Sequence, residues 1–199
     1  MRYTGPKDRL SRKHGELLSG MPMFELNKRP YPPGQHGLKR TKSSEYGSLL
    51  LEKQKLKQSY AITEKQFQRY FNKAGKLKGP TGELLIQLLE TRLDNLVYRM
   101  GFAPTLQMAR QLVTHGHVLV NNKKIDIPSY AVKPESVIML KDSVQKLEVV
   151  KNSIKNTPSV LEYISVKKDE FTGKLIELPQ RAKIPVNVNE RLIVEYYSR

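Results

Sequence analysis

The sequence contains no cysteine. Disulfide cross-links and thiolate metal sites are therefore excluded. It has no apolar run near membrane-spanning length, and its first residues, Met1-Arg2-Tyr3-Thr4-Gly5-Pro6-Lys7, hold no apolar signal core. The expectation is a soluble protein that stays where it is made. There is no internal repeat, no phosphate-binding glycine loop and no serine in a nucleophile-elbow context. Acidic residues are scarce beside basic ones: 19 Asp and Glu face 35 Lys and Arg, a formal charge of +16. Such an excess repels itself in the isolated chain, so a polyanionic partner is its natural explanation. A membrane surface fits less well, because no segment joins a strong apolar face to a dense Lys/Arg face.

The 199 residues allow one large or two small domains. The charge is concentrated toward the N-terminus: residues 1–45 carry +6, 46–91 carry +4, 92–141 carry +4 and 142–199 carry +2. Residues 1–45 are rich in Gly, Pro, Lys and Arg, and Pro30-Tyr31-Pro32-Pro33-Gly34-Gln35-His36-Gly37 is stiff and turn-rich. This stretch reads as a basic extended arm that becomes ordered on nucleic acid.

From Glu45 the pattern is helical, with Leu49, Leu50, Leu51 and Leu56 among Lys53, Lys55 and Lys57. Thr63 with Gln66 has the spacing of a capping box, and Phe67, Tyr70, Phe71 and Ala74 form an aromatic stripe that reads as core. After the break at Gly79-Pro80-Thr81-Gly82, Leu85, Leu88, Leu89, Leu93, Leu96, Val97 and Met100 trace one continuous apolar face, with Arg92, Asp94 and Arg99 opposite. Pro104-Thr105 opens another helix, to about His115, whose core face is Ala109, Leu112 and Val113.

Gly116 ends that helix, Val118-Leu119-Val120 reads as a strand, and Asn121-Asn122 as a tight turn, since Asn tolerates the left-handed conformation. Val137-Ile138-Met139-Leu140 is a further strand, and the stretch 146–154 is either a short helix or extended. Residues 163–166 and 174–178 read as a hairpin turning at Thr172-Gly173, and 189–197 as an amphipathic element docking on earlier helices.

No catalytic constellation emerges from the scattered acids. His115 and His117 flank a glycine, but with no cysteine and no third ligand they read as polar groups closing a helix end. The positive signal is for RNA. Helix and hairpin together bring Arg110, His115, Lys123 and Lys124 to one surface, where they bind phosphate with little regard for base identity, and Gly116 lets backbone approach the sugar-phosphate surface. An RNA-modifying enzyme using the same element is the alternative, and repression of its own messenger RNA, as a side activity, is a third reading.

Several segments carry a resemblance to a known family: Arg29-Pro30-Tyr31, Pro33-Gly34-Gln35-His36-Gly37, Tyr46-Gly47, Glu52-Lys53-Gln54-Lys55-Leu56, Glu64-Lys65-Gln66-Phe67, residues 89–103 and 109–118, Asp126-Ile127-Pro128-Ser129-Tyr130, Leu178-Pro179, Asn189-Glu190 and 193–199. In order and over nearly the whole chain, they resemble ribosomal protein S-four of bacterial-type small subunits. The resemblance implies an α+β fold: a helical domain (46–91, completed by 186–199) with an inserted RNA-binding domain (92–185) of short helices and a small antiparallel β-sheet. The core motif of that domain is 92–141 and its hairpin 163–178. It implies a structural, non-catalytic protein that binds small-subunit ribosomal RNA early in assembly. The partners it implies are small-subunit proteins three and five and messenger RNA where it enters the subunit, with an influence on decoding accuracy.

The candidate RNA contacts are Arg2, Lys7, Arg29, Gln35, His36, Lys39 and Arg40 in the arm, and Lys53, Lys55 and Lys57 in the first long helix. The RNA-binding domain adds Arg92, Arg110, Gln111, His115, Gly116, His117, Lys123 and Lys124. Tyr196, Tyr197 and Arg199 are the candidate protein-facing surface. No cofactor, membrane or small-molecule substrate is expected, and the location expected is the cytoplasmic small subunit or its organellar counterpart. Many relatives hold zinc through cysteines in the arm; this chain falls in the zinc-free branch. Leu106 and Gln107 stand where many relatives have arginines, which shifts part of the expected binding toward the arm and Lys53, Lys55 and Lys57; Asn121-Asn122 replaces their Asn-Gly turn and is physically tolerable.

Overall fold

The computed structural model describes residues 3–18, 29–39, 42, 44–156 and 161–198. They fall into two compact units, one formed by residues 1–85 with 186–199 and the other by 86–185.

In the first unit, α1 (Asp8–His14) ends at Gly15 in the left-handed conformation and buries Leu10 and Ser11. Part of the arm is therefore helical and docked, where an extended segment was expected. Its anchors are polar: Lys13 donates to Gln54 at 2.6 Å, and Lys55 pairs with Glu16 at 2.6 Å. Helix α2 (Glu45–Ser59) is capped by Ser44, whose hydroxyl accepts from the Gly47 amide at 3.1 Å. Helix α3 (Glu64–Ala74) starts at Thr63 with extended backbone, but the Thr63 side chain makes no capping bond, so the expected capping box is not formed. Phe67 and Ala74 are fully buried, as the aromatic stripe implied. The last helix, α9 (Glu190–Ser198), packs on α2 and seats Ile193 in the core.

Helix α4 (Thr81–Glu90) leads into the second unit and is followed by α5 (Leu93–Arg99). The apolar spacing predicts one continuous helix, but the chain breaks at Thr91-Arg92. Arg92 is extended (φ −67°, ψ 142°) and forms an antiparallel bridge with Ala131. The amides of Leu93 and Val132 bond Tyr130 O (2.9 Å) and Thr91 O (3.0 Å), so the segment around Tyr130 replaces a helical turn. The i, i+3, i+4 pattern survives the break because both short helices face the same core.

Helix α6 (Leu106–Thr114) is capped by Thr105, whose hydroxyl accepts from Met108 N at 3.3 Å. It closes in a Schellman motif: Gly116 has φ +68°, with Gly116 N bonding Val113 O and His117 N bonding Leu112 O. Strands β1 (Val118–Val120) and β2 (Lys123–Lys124) pair across Asn121 (φ 48°) and Asn122 (φ 63°), the double left-handed turn that matches strand twist. Next come β3 (Val137–Leu140), α7 (Asp142–Gln145) and α8 (Glu148–Asn156), which resolves the undecided stretch as helix.

Strands β4 (Ile164–Lys167) and β5 (Thr172–Leu175) complete an antiparallel sheet of order β2-β1-β3-β5-β4. Lys167 pairs with Thr172 and Val166 with Gly173, so the turn lies at 168–171 and not at Thr172-Gly173. Gly173 is inside the strand because Met100 presses on it, where a Cβ would collide with the thioether. One sheet face and helices α5, α6 and α8 enclose the core of Leu93, Leu96, Val97, Leu112, Val118, Ile138, Leu140, Val150 and Tyr163.

Candidate RNA interface

Helix α6, the glycine closure and the β1–β2 turn bring the central candidates together. Lys123 and Lys124 are exposed on the edge strand, Gln111 and His115 are exposed on and beyond α6, and His117 is half-buried. The His115 and His117 rings lie 6.0 Å apart, centre to centre. Gly116 is buried, so its backbone is not open to a ligand as expected. Its missing Cβ instead makes room for the Lys124 side chain, which lies across it.

The arginines behave differently. Arg92 is buried, with 2% of its side chain exposed, and Arg110 is 14% exposed. Both hold one carboxylate: Arg92 Nε and Nη2 donate to Asp94 at 3.0 and 2.8 Å, and Arg110 Nε and Nη2 at 2.9 and 2.7 Å. Asp94 also accepts from the Asn95 amide at 3.0 Å. This corrects the sequence reading: Arg92 lies inside, and Arg110 is first a strut joining α6 to α5. Two guanidiniums thus share one buried carboxylate where α5 meets α6.

A second polar node lies next to it. Arg99 Nε donates to Glu90 Oε1 at 2.6 Å, and the Tyr163 hydroxyl to the same oxygen at 2.7 Å. Burial and the Glu90 charge hold the Tyr163 proton well above the ordinary phenol range. Arg99 and Asp94, expected on a solvated side, thus belong to the interior because each has a charged partner to bury with.

In the first unit, Lys53 (6% exposed) and Lys57 each donate to Glu64 at 2.8 Å, and Tyr197 donates to it at 3.0 Å. Burial pushes the Glu64 carboxyl up, but hydrogen bonds from Lys53, Lys57 and Tyr197 outweigh it and hold the group at about 2. Lys53, Lys55 and Lys57 are therefore largely engaged within the chain, which corrects their expected place as a basic surface. Tyr197 also turns inward, its ring 4.4 Å from Phe71, and Tyr196 packs 5.7 Å from Tyr46 with Lys53 above it. In the arm, Lys7 donates to Tyr3 O at 2.9 Å, while Arg29, Gln35, His36 and Lys39 are exposed. Arg2, Arg40 and Arg199 lie outside the described residues.

Residues 2–90 match the family model described as the ribosomal protein S4/S9 N-terminal domain, and 91–138 that of the S4 domain. The junction coincides with the break between α4 and α5. The small ribosomal subunit protein uS4 of Lysinibacillus sphaericus (strain C3-41) is 52% identical over 199 residues, covering 100% of this chain and 99% of that protein. Those of Geobacillus sp. (strain WCH70) and Phytoplasma mali (strain AT) are each 50% identical, covering 100% of this chain and 99% and 98% of theirs. The chain belongs to the uS4 family.

The uS4 family is one of structural ribosomal proteins and not of enzymes, which overturns the RNA-modifying alternative. Within this uS4 chain no cysteine is present to bind zinc in the arm. Sequence reasoning missed Asp94, Glu90 and Glu64, which decide what the neighbouring cations are for. It also passed over Lys65, Arg69, Lys73, Lys76 and Lys78, all exposed. The signal for these was present: residues 65–82 contain five cations and no acid.

Proposed function

We propose that this uS4 protein is a structural component of the small ribosomal subunit that binds its ribosomal RNA through phosphates, using Lys123, Lys124, Gln111 and His115 as one contact surface. The observation that carries the reading is the exposed Lys123–Lys124 edge strand, held beside α6 by the Asn121-Asn122 turn and the Gly116 closure. Backbone fixed on both sides holds the two lysines at one edge of the sheet, so that only their side chains are ordered at binding. Folded RNA is recognised largely through shape, phosphates and 2′-hydroxyls, and such a surface suits it. The exposed Arg29, Gln35, His36 and Lys39 of the arm extend the contact.

The finer reading is early binding to the 5′ domain of that RNA, in the cytoplasm, beside small-subunit proteins three and five and where messenger RNA enters. It rests on the family resemblance and on the basic surfaces. Co-sedimentation tests it: the protein should remain with small subunits through a high-salt wash and bind isolated 5′-domain RNA in preference to a length-matched control RNA. Release in the wash together with equal affinity for both RNAs would reject it.

A further inference from the structure

We propose that His14 is a pH-sensitive latch: its neutral imidazole holds α1 on α2, and protonation releases α1 together with the arm segment that α1 carries. Helix α1 has seven residues, too few to persist alone in water, so it is helical only while docked. The large apolar side chains buried on it and just after it are Leu10 and Leu18, a slight anchorage. Polar pairs to one side of α2 supply the rest. Lys13 Nζ donates to Gln54 Oε1 at 2.6 Å, His14 Nε2 donates to Gln58 Oε1 at 2.8 Å, and Lys55 pairs with Glu16 at 2.6 Å. From the same helix Arg12 reaches the arm: its Nε donates to Tyr31 O at 3.2 Å, and its guanidinium lies 5.0 Å from the centre of the Tyr31 ring. Undocking α1 therefore loosens the arm at Tyr31 as well.

The docked ring resists a second proton. Gln58 Oε1 can only accept, so Nε2 carries the proton of the neutral ring and Nδ1 holds a lone pair. Nδ1 is buried and, among the described residues, has no hydrogen-bond partner. A bare lone pair is tolerated there, but a proton would make Nδ1 a donor buried without an acceptor. The charges around the ring do not offset that cost. Lys13 on α1 and Lys55 on α2 repel a further positive charge, and Arg12 is turned to Tyr31. Glu16 attracts it, but its carboxylate is already paired with Lys55. Burial, helped by the two lysines, outweighs the Gln58 bond and Glu16 and holds the imidazole below its ordinary 6.5. Away from α2 the ring regains that ordinary value, so docking and protonation oppose each other. Docking is complete above about pH 6.5 and weakens as pH falls below it, until the lower docked value is passed.

The test follows amide hydrogen exchange of the full-length protein between about pH 7.5 and 5.5, with protection corrected for the intrinsic pH dependence of exchange. Protection of residues 10–15 should fall by up to about tenfold toward the acid end, the limit for one group with a free value near 6.5, while α3 and α6 keep theirs. The His14 imidazole resonance, identified by its absence from His14→Gln, should titrate with a midpoint below about 6.5. His14→Gln keeps an amide donor toward Gln58 and has no proton to gain, so its protection should not change with pH. Gln58→Glu gives the imidazolium a charged acceptor and should reduce the acid loss. A midpoint at or above about 6.5, constant protection of α1 in the wild type, or an equal acid loss in His14→Gln would each overturn the latch. A loss shared equally by α3 would overturn it in favour of general loosening in acid. Where His14→Gln undocks α1 at every pH, the midpoint and the second variant decide: a larger acid loss in Gln58→Glu than in the wild type would overturn the latch.

Discussion

Asp94→Asn removes one charge and almost no volume, and should be among the most damaging single changes in the second unit. The carboxylate accepts from both Arg92 and Arg110, and its side chain is 1% exposed. The amide keeps the shape but turns an NH2 group toward a guanidinium and removes the carboxylate that the buried Arg92 shares with Arg110. Removing one partner of a buried pair costs about 3–5 kcal/mol. Arg110, at 14% exposure, can turn toward water, which puts the expected loss near the lower end, at about 3 kcal/mol. For a unit of this size that lowers the melting temperature by roughly 12–24 °C. Thermal and urea unfolding give the total, and amide hydrogen exchange assigns it: protection should fall across residues 93–114 and the sheet, and stay unchanged in α2 and α3. Replacing the Arg92–Asp94 pair together, as Arg92→Met/Asp94→Leu, should recover part of the loss by removing both buried charges. A loss below about 1 kcal/mol for Asp94→Asn would show that the node is solvated and that Arg110 is free to serve as an ordinary surface cation.

Other outcomes follow from single contacts. Glu64 has a folded-state value of about 2 against an ordinary 4.5, so its contribution is complete above about pH 4.5 and disappears as pH falls through about 2. Glu64→Gln should therefore destabilise by on the order of 1 kcal/mol at pH 7, a value reduced by partial exposure, and the gap to wild type in urea midpoints should close on acidification; a pH-independent gap would rule out this linkage. Gly173→Ala should cost about 1–3 kcal/mol, because the added methyl meets Met100, and a melting temperature within a degree or two of wild type would contradict the packing. Lys123→Gln/Lys124→Gln should leave melting unchanged while reducing the RNA-binding salt slope by about two; an unaltered slope would remove these lysines from the interface.

The parts of the fold legible in the sequence are those set by local chemistry. Thr105 caps α6, Gly116 closes it and Asn121-Asn122 turns the hairpin, each through backbone preferences that a few neighbouring residues express. The break at Thr91-Arg92 was hidden because the apolar spacing runs through it, and what opens the helix is the Tyr130 carbonyl, 37 residues away from Leu93. Gly173 read as a turn because its cause, Met100, is on another element. The candidate site divides the same way. That Lys123 and Lys124 share a surface with α6 followed from hairpin and helix together. Whether a cation faces RNA or the core depends on a carboxylate elsewhere, such as Asp94 for Arg92 and Glu64 for Lys53, and spacing alone does not reveal that pairing.

The central claim is that this uS4 protein binds small-subunit ribosomal RNA by neutralising phosphates. The most direct measurement is the dissociation constant for 5′-domain RNA across a salt series. With about six or more phosphate contacts, affinity should fall by on the order of a thousandfold between about 50 and 200 mM. An affinity that stayed nearly constant over that range would contradict the account.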